Sequence, residues 1–224
     1  VLQQNENRRI ALAVPKTSLN TEEVVAMLHM VADAVIAAEP ILTDADRALG
    51  DGDHGLGMQR GMNAAKEALD AETFESVDGP FTAFGKAMMS SMGGASGVVF
   101  GTVFRGGGRE LKGVETFDST ALSSLLNAAA EGVMKKGGAK PGDKTMLDAL
   151  VPAAEKAKEV SSQPLPDAIR AVADAAEAGK EASKDMIATM GRAKTLGERS
   201  LGKADAGAVS VTVILSTMRD YITT

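Results

Sequence analysis

The sequence has no cysteine and no tryptophan, one tyrosine, and only two histidines among 224 residues. Without cysteine there are no disulfides, thiolate nucleophiles, zinc ribbons or iron–sulfur clusters. One tyrosine and six phenylalanines leave few rings on which to stack bases. The charge balance agrees: 24 basic against 30 acidic residues give −6, whereas phosphate-tracking proteins carry a basic face. No nucleic-acid partner is therefore expected. Two histidines without supporting spacing offer no Ser–His–acid triad. No apolar run approaches the ~20 residues that span a bilayer, so no membrane partner is expected. The opening VLQQNENRRIALAVPKTS carries paired arginines, but the apolar run at 10–14 is shorter than the ~7–15 residues of a signal-peptide core. The expectation is a cytoplasmic protein. Its length suits one domain with a small appendage. Residues 1–20 read as a flexible N-terminal arm and 21–224 as a single domain.

What is present is helical periodicity. Residues 21–38 begin with a Thr and two Glu, as a helix N-terminus favours. Val24, Met27, Leu28, Val31, Val35 and Ile36 then recur at three- and four-residue steps. Similar patterns cover 55–69, 80–91, 96–105, 118–136, 144–159 and 164–189. In 207–222, Val209, Val211 and Val213 alternate like a strand, yet Ile214, Leu215, Met218 and Ile222 keep helical spacing behind a capping Asp205. It reads as helix. Eight segments and no other strand pattern predict an all-α bundle.

Glycine is oddly placed for such a fold, since each interior glycine costs a helix ~1 kcal/mol. Many of the 24 glycines fall in four connections: 50–57, 93–97, 137–142 and 191–207. Helix caps and turns account for any one of them. Four together point to a ligand site built from loops at one end of the bundle.

The strongest local signal is Asp46, Asp51 and Asp53, at i, i+5 and i+7. On a continuous helix Asp51 would sit ~140° from Asp46, so convergence needs the loop that Gly50 and Gly52 imply. Three close carboxylates repel, and a hard divalent cation such as Mg²⁺ relieves that. The alternative is a solvated acidic turn. An EF-hand is excluded, because the spacing is wrong and no Glu stands at the twelfth position. His54 is a hydrogen-bond donor or a ligand, while His29, in mid-helix, is structural.

The stretch 92–97 (MGGASG) places small residues before a helix, an anion cradle or a close packing contact. At 137–145, GGAKPGDKT resembles a Walker A loop but fails, because Asp143 separates Gly142 from Lys144 and a helix precedes it instead of a strand. Lys144 and Thr145 then cap the next helix or border a nucleotide. The connection 191–208 is long for a bundle. It mixes Arg192, Arg199 and Lys203 with Asp205, so it suits closure over an anion or a salt-bridged surface loop. Metal and phosphate loops without a protein nucleophile describe phosphoryl transfer.

Four motifs in order, ADRALGDGDHG (45–55), SSMGGASGVVFG (90–101), KPGDKTMLDA (140–149) and GRAKTLGERSLGKADAGA (191–208), resemble the L subunit, or nucleotide-binding domain, of dihydroxyacetone kinases. The resemblance implies an eight-helix antiparallel barrel with ADP or ATP bound at one end. It implies that Asp46, Asp51 and Asp53 bind two Mg²⁺ ions, and that His54, Gly57, Ala95 and Ser96 border the phosphates or ribose. Gly137, Met146, Arg192, Asp205 and Gly207 would frame the rest of the nucleotide. The ketose would sit on a histidine of a separate K subunit.

In one branch of that family ADP is a resident coenzyme, rephosphorylated by a phosphotransferase-system protein that draws on phosphoenolpyruvate. In the other, ATP exchanges as a substrate. The first is the expectation here, with an ATP-dependent kinase subunit for another ketose, such as erythrulose, or a regulatory binding module as alternatives. Lys203, Ala206, Lys194 and Thr195 depart from the family's usual residues in the closing loop. A fatty-acid-kinase nucleotide domain resembles DGDTG where this chain has DGDHG, so His54 counts against it. The oligomeric state, a homodimer included, is left open.

Overall fold

In the computed structural model, which describes residues 16–224, helix α1 (Thr21–Ala37) starts from a capping box. Asn20 accepts the Glu23 N–H at 2.9 Å, and Glu23 accepts the Asn20 N–H at 3.0 Å. Its apolar stripe, Val24, Met27, Leu28, Val31 and Val35, is fully buried. At Ala38 the chain bends by 53° into a short helix α2 (Glu39–Arg47), with Pro40 in its first turn. Sequence periodicity misses α2. Two turns of mostly polar residues bury only Leu42 and Thr43, too few positions to define a period.

The other helices are α3 (His54–Ala71), α4 (Asp78–Ser91), α5 (Gly94–Arg109), α6 (Ser119–Gly137), α7 (Leu147–Glu159), α8 (Leu165–Ala182) and α9 (Ala206–Thr223). The expected helix over 164–189 stops at Ala182 and tightens into a 3₁₀ turn, Ser183–Asp185. Two more such turns, Arg192–Thr195 and Gly197–Ser200, lie within the long closing loop. Eight helices form a closed ring, α1–α3–α4–α5–α6–α7–α8–α9 and back to α1, while α2 packs on α3 and α9. Short connections make ring neighbours antiparallel. The starts of α3, α5, α7 and α9 therefore share an end with the finishes of α4, α6 and α8.

The ring is filled. Phe81, Phe84, Phe100, Phe104 and Phe117 are buried, with Phe84 and Phe104 ring centroids 4.5 Å apart. A gap of about 20 Å³ remains among residues such as Phe81, Leu125 and Leu215. Two contacts are backbone on backbone. A Cβ on Gly85 of α4 would lie 2.3 Å from the Arg105 N of α5, and a Cβ on Gly179 of α8 would lie 2.1 Å from the Asp148 O of α7. Pro152, inside α7, has no N–H to offer that Asp148 carbonyl.

Of the expected arm, residues 16–20 are described, and they are held against the domain. Leu19 is fully buried and pairs with Phe117 through hydrogen bonds of 2.9 and 2.8 Å, and the Lys16 ammonium lies 4.4 Å from the Tyr221 ring centroid. The rest of that expectation, residues 1–15, lies outside the described residues. That bridge apart, no strand pairing occurs among the described residues. No single helix among them is long and apolar enough to cross a membrane.

Candidate functional site

At the end of the ring where α3, α5, α7 and α9 begin, a cavity of about 510 Å³ opens. Four helix N-termini face it with their positive dipole ends. Its apolar wall includes Met92, Val99, Phe100, Val133, Met146 and Met190. It is far larger than the gap of about 20 Å³ inside the ring.

At one edge three carboxylates converge. One oxygen each from Asp46, Asp51 and Asp53 lies within 4.8 Å of the others. Asp46 comes from the last turn of α2, and its Oδ2 accepts the His54 N–H at 3.3 Å, capping α3 from outside. A Cβ on Gly50 would sit 2.6 Å from Asp46 Oδ1, so glycine leaves the carboxylate its room. Asp53 occupies the N-cap position of α3 without spending its side chain on capping. A Cβ on Gly55 would meet Glu39 O at 2.4 Å and Thr43 Oγ1 at 2.3 Å, which lets α2 lie against the start of α3. Among the described residues, the one cation on the cluster is Arg192, whose guanidinium rests on Asp51 and lies 3.4 Å from Asp53 Oδ2; Arg47 pairs instead with Asp44. Three hard oxygen donors against one guanidinium fit a divalent cation of the Mg²⁺ type.

Opposite lies the start of α5. Gly93 and Gly94 have φ of 71° and 60°, and a Cβ on either would meet nothing within 4 Å. Conformation, not space, requires glycine here. Gly97 and Gly101 serve packing instead, since added Cβ atoms would lie 3.2 Å from Met92 and 1.9 Å from Met89. Packing thus accounts for Gly97 but not for Gly93 and Gly94.

His54 is 8 % exposed. Its Nε2 lies 2.8 Å from Ser210 Oγ, which also lies 3.1 Å from Ala206 O. Burial lowers the imidazole pKa, partly offset by the charge of Asp46, and the ring is neutral near pH 7. Asp205 caps α9 by accepting the Ala208 N–H at 2.8 Å. Burial pushes its carboxyl up to about 7, the Asp148 charge adds to this, and backbone N–H groups and Lys144 oppose it.

Of the residues singled out in the sequence, His54, Gly57, Ala95, Ser96, Gly137, Met146, Arg192, Asp205 and Gly207 all line the cavity, as do Asp46 and Asp53. Asp51 stands outside the lining but inside the carboxylate triangle. Lys144 does not cap α7 but lines the cavity; Asp148, in the first turn of α7, accepts the Gly142 and Thr145 N–H groups of the preceding loop at 2.6 and 2.7 Å. Thr145 does cap, accepting the Leu147 N–H at 3.2 Å. Lys144 instead turns inward. Arg60, a lining residue that sequence reasoning missed, donates to Met92 O at 3.4 Å; its signal was the i, i+3 relation to Gly57 on α3.

Comparison with known proteins gives a consistent picture. A family model described as the DAK2 domain matches residues 48–220. The chain is 37 % identical over 196 residues to the ADP-binding subunit DhaL of the PEP-dependent dihydroxyacetone kinase of Escherichia coli (strain K12), covering 87 % of this chain and 93 % of that one. It is 36 % identical over 227 residues to the D-erythrulose kinase of Mycolicibacterium smegmatis, covering 96 % of this chain but 39 % of that protein. The crystal structure of the dihydroxyacetone kinase from C. freundii in complex with AMP-PNP and Mg²⁺ shares the fold, with a TM-score of 0.70 at 24 % identity over 98 % of this chain and 37 % of that chain.

Proposed function

The chain belongs to the DAK2-domain family of dihydroxyacetone-kinase subunits and related kinases, and from that premise we propose that it is the nucleotide-binding half of a ketose kinase. It passes the terminal phosphoryl group of a bound nucleotide to a short ketose held by a separate K subunit. The observation that carries this reading is the convergence of Asp46, Asp51 and Asp53 beside a cavity rimmed by four helix N-termini.

Asp46, Asp51 and Asp53 would hold Mg²⁺, two ions by the family resemblance, and His54 keeps its neutral ring against Ser210 at their back. The metal, when bound, neutralises phosphate charge. The N–H groups of residues 94–96 donate to phosphate oxygens without side chains in the way. Met92, Met146 and Met190 offer the base an apolar wall, and Gly137, Asp205 and Gly207 bound the remainder. Arg192 closes the mouth. The chain supplies position and charge rather than a nucleophile, which suits phosphoryl transfer.

ADP as a resident coenzyme, recharged by a phosphoenolpyruvate-driven phosphotransferase protein, is the branch we favour. The E. coli relative is described in those PEP-dependent, ADP-binding terms and is matched over nearly its whole length. The similar identity to an erythrulose kinase supports the second reading, an ATP-dependent subunit acting on a four-carbon ketose. Denaturing freshly purified protein and quantifying the released nucleotide separates them. Near one ADP per chain after extensive dialysis supports the first, and an empty protein that binds Mg-ATP reversibly supports the second. A protein that binds neither nucleotide in the presence of Mg²⁺ refutes both.

A further inference from the structure

Lys144 is the one non-glycine among the described residues with a positive φ, 60°, a conformation disfavoured for any residue with a Cβ. The residue is 2 % exposed. Its Nζ donates to Ser183 O at 2.5 Å and to Lys203 O at 2.6 Å. These carbonyls sit at the two ends of the closing loop. Ser183 is the C-cap of α8; its carbonyl also accepts the Met186 N–H at 3.3 Å, and there the ammonium meets the negative dipole end. The same neck is drawn together by the Gly202 N–H on Lys184 O at 2.8 Å and the Asp205 N–H on Ser183 Oγ at 3.3 Å.

Between these ends the loop carries Met190, Gly191, Arg192 and Ala193 onto the cavity, with Arg192 reaching Asp51 and Asp53. Directly past the neck, Asp205 opens α9. We propose that Lys144 is a positioning residue: its ammonium ties the neck of the 184–202 loop and so fixes where Arg192 and Asp205 stand over the cavity. Three donors on a long stem let one side chain hold two carbonyls that lie far apart in sequence. The ammonium pKa is lowered by burial, and the carboxylates of Asp205, Asp148 and Asp185 oppose that shift.

The tie itself stands without the nucleotide assignment, and only the second readout below rests on that assignment. Hydrogen exchange is measured first on the protein without nucleotide. Lys144→Met keeps the stem and removes the charge. It should raise exchange of the amides at 186–204 by about 10-fold or more, since hydrogen bonds to charged groups are lost, while core amides of α3, α4 and α5 stay as protected as in wild type. Lys144→Gly, which suits φ 60° and equally lacks the ammonium, should give the same pattern and covers a Met variant that fails to fold. Lys144→Arg, with two donors retained, should restore most of the protection.

Unchanged loop exchange, or an equal rise in every helix, overturns the tie. The second readout is Mg-ADP dissociation, expected to quicken by about 10-fold in Lys144→Met for the same loss. A dissociation rate equal to wild type alongside a loosened loop would overturn the claim that the tie positions Arg192 and Asp205. If wild-type protein binds neither Mg-ADP nor Mg-ATP, the functional reading falls, and the exchange data still decide the tie.

Discussion

Asp51→Asn isolates the carboxylate cluster better than any other single change. The side chain is 47 % exposed and, among the described residues, forms its ion pair with Arg192, away from the core. With the three oxygens within 4.8 Å, each carboxylate pair repels by roughly 0.9 kcal/mol at the dielectric of water. The substitution relieves two such repulsions and forfeits one exposed ion pair of about 0–1 kcal/mol. The balance favours the variant by about 1–2 kcal/mol, and the unliganded protein should melt at or up to about 7 °C above wild type. Metal binding has no such compensation. Changing residues that merely orient a ligand costs 10–100-fold in affinity, so losing a ligand should weaken Mg²⁺-dependent nucleotide binding by about 100-fold or more, ~2.7 kcal/mol. Titration calorimetry of Mg-ADP, with and without Mg²⁺, beside a thermal melt reads both quantities. Mg²⁺-dependent affinity within about threefold of wild type would refute the metal assignment. Lost affinity together with a collapsed melt would refute the claim that the cluster is independent of the fold.

Two further expectations test other parts of the structure. Gly85→Ala puts a Cβ 2.3 Å from Arg105 N and 2.6 Å from Gly101 O, which forces α4 and α5 apart at a cost of about 1–3 kcal/mol; a melt equal to wild type would show that those helices do not meet backbone to backbone. Asp205→Asn keeps an acceptor for the Ala208 N–H but cannot titrate. The wild-type carboxyl moves from 3.8 unfolded to about 7 folded, so the native state holds the extra proton between those values, and stability relative to the variant falls as pH rises through that window. Urea denaturation at pH 5 and pH 8 should show the gap shifting in the variant's favour at pH 8, and equal gaps would refute the shift.

Much of the fold was legible because helical burial writes a period into the sequence. α1, α6 and α9 appear within a few residues of their expected bounds. The failures have local causes. α2 is too short and polar to show a period, and Ala-rich α8 carries its pattern past the point where the chain tightens at Ser183. Among the described residues the lone Leu19–Phe117 pairing lies in a stretch with no pattern of its own, so nothing in the sequence marks Leu19 as buried.

The site divides along the same line. Spacing and chemistry within single loops were enough to name Asp46, Asp51 and Asp53 together, and to mark four glycine-rich connections as one functional end, because like charges and missing side chains are unusual wherever they occur. Position in sequence does not say which atom a long side chain will reach. Whether Lys144 faces solvent, a nucleotide or two distant carbonyls depends on α8 and the closing loop meeting at one point. Whether Ser210 matters to His54 depends on α9 closing the ring beside α3. Residue type and local period were set by the sequence; the pairings across 39, 59 and 156 residues were decided by ring closure, because only packing brings such groups within hydrogen-bond reach.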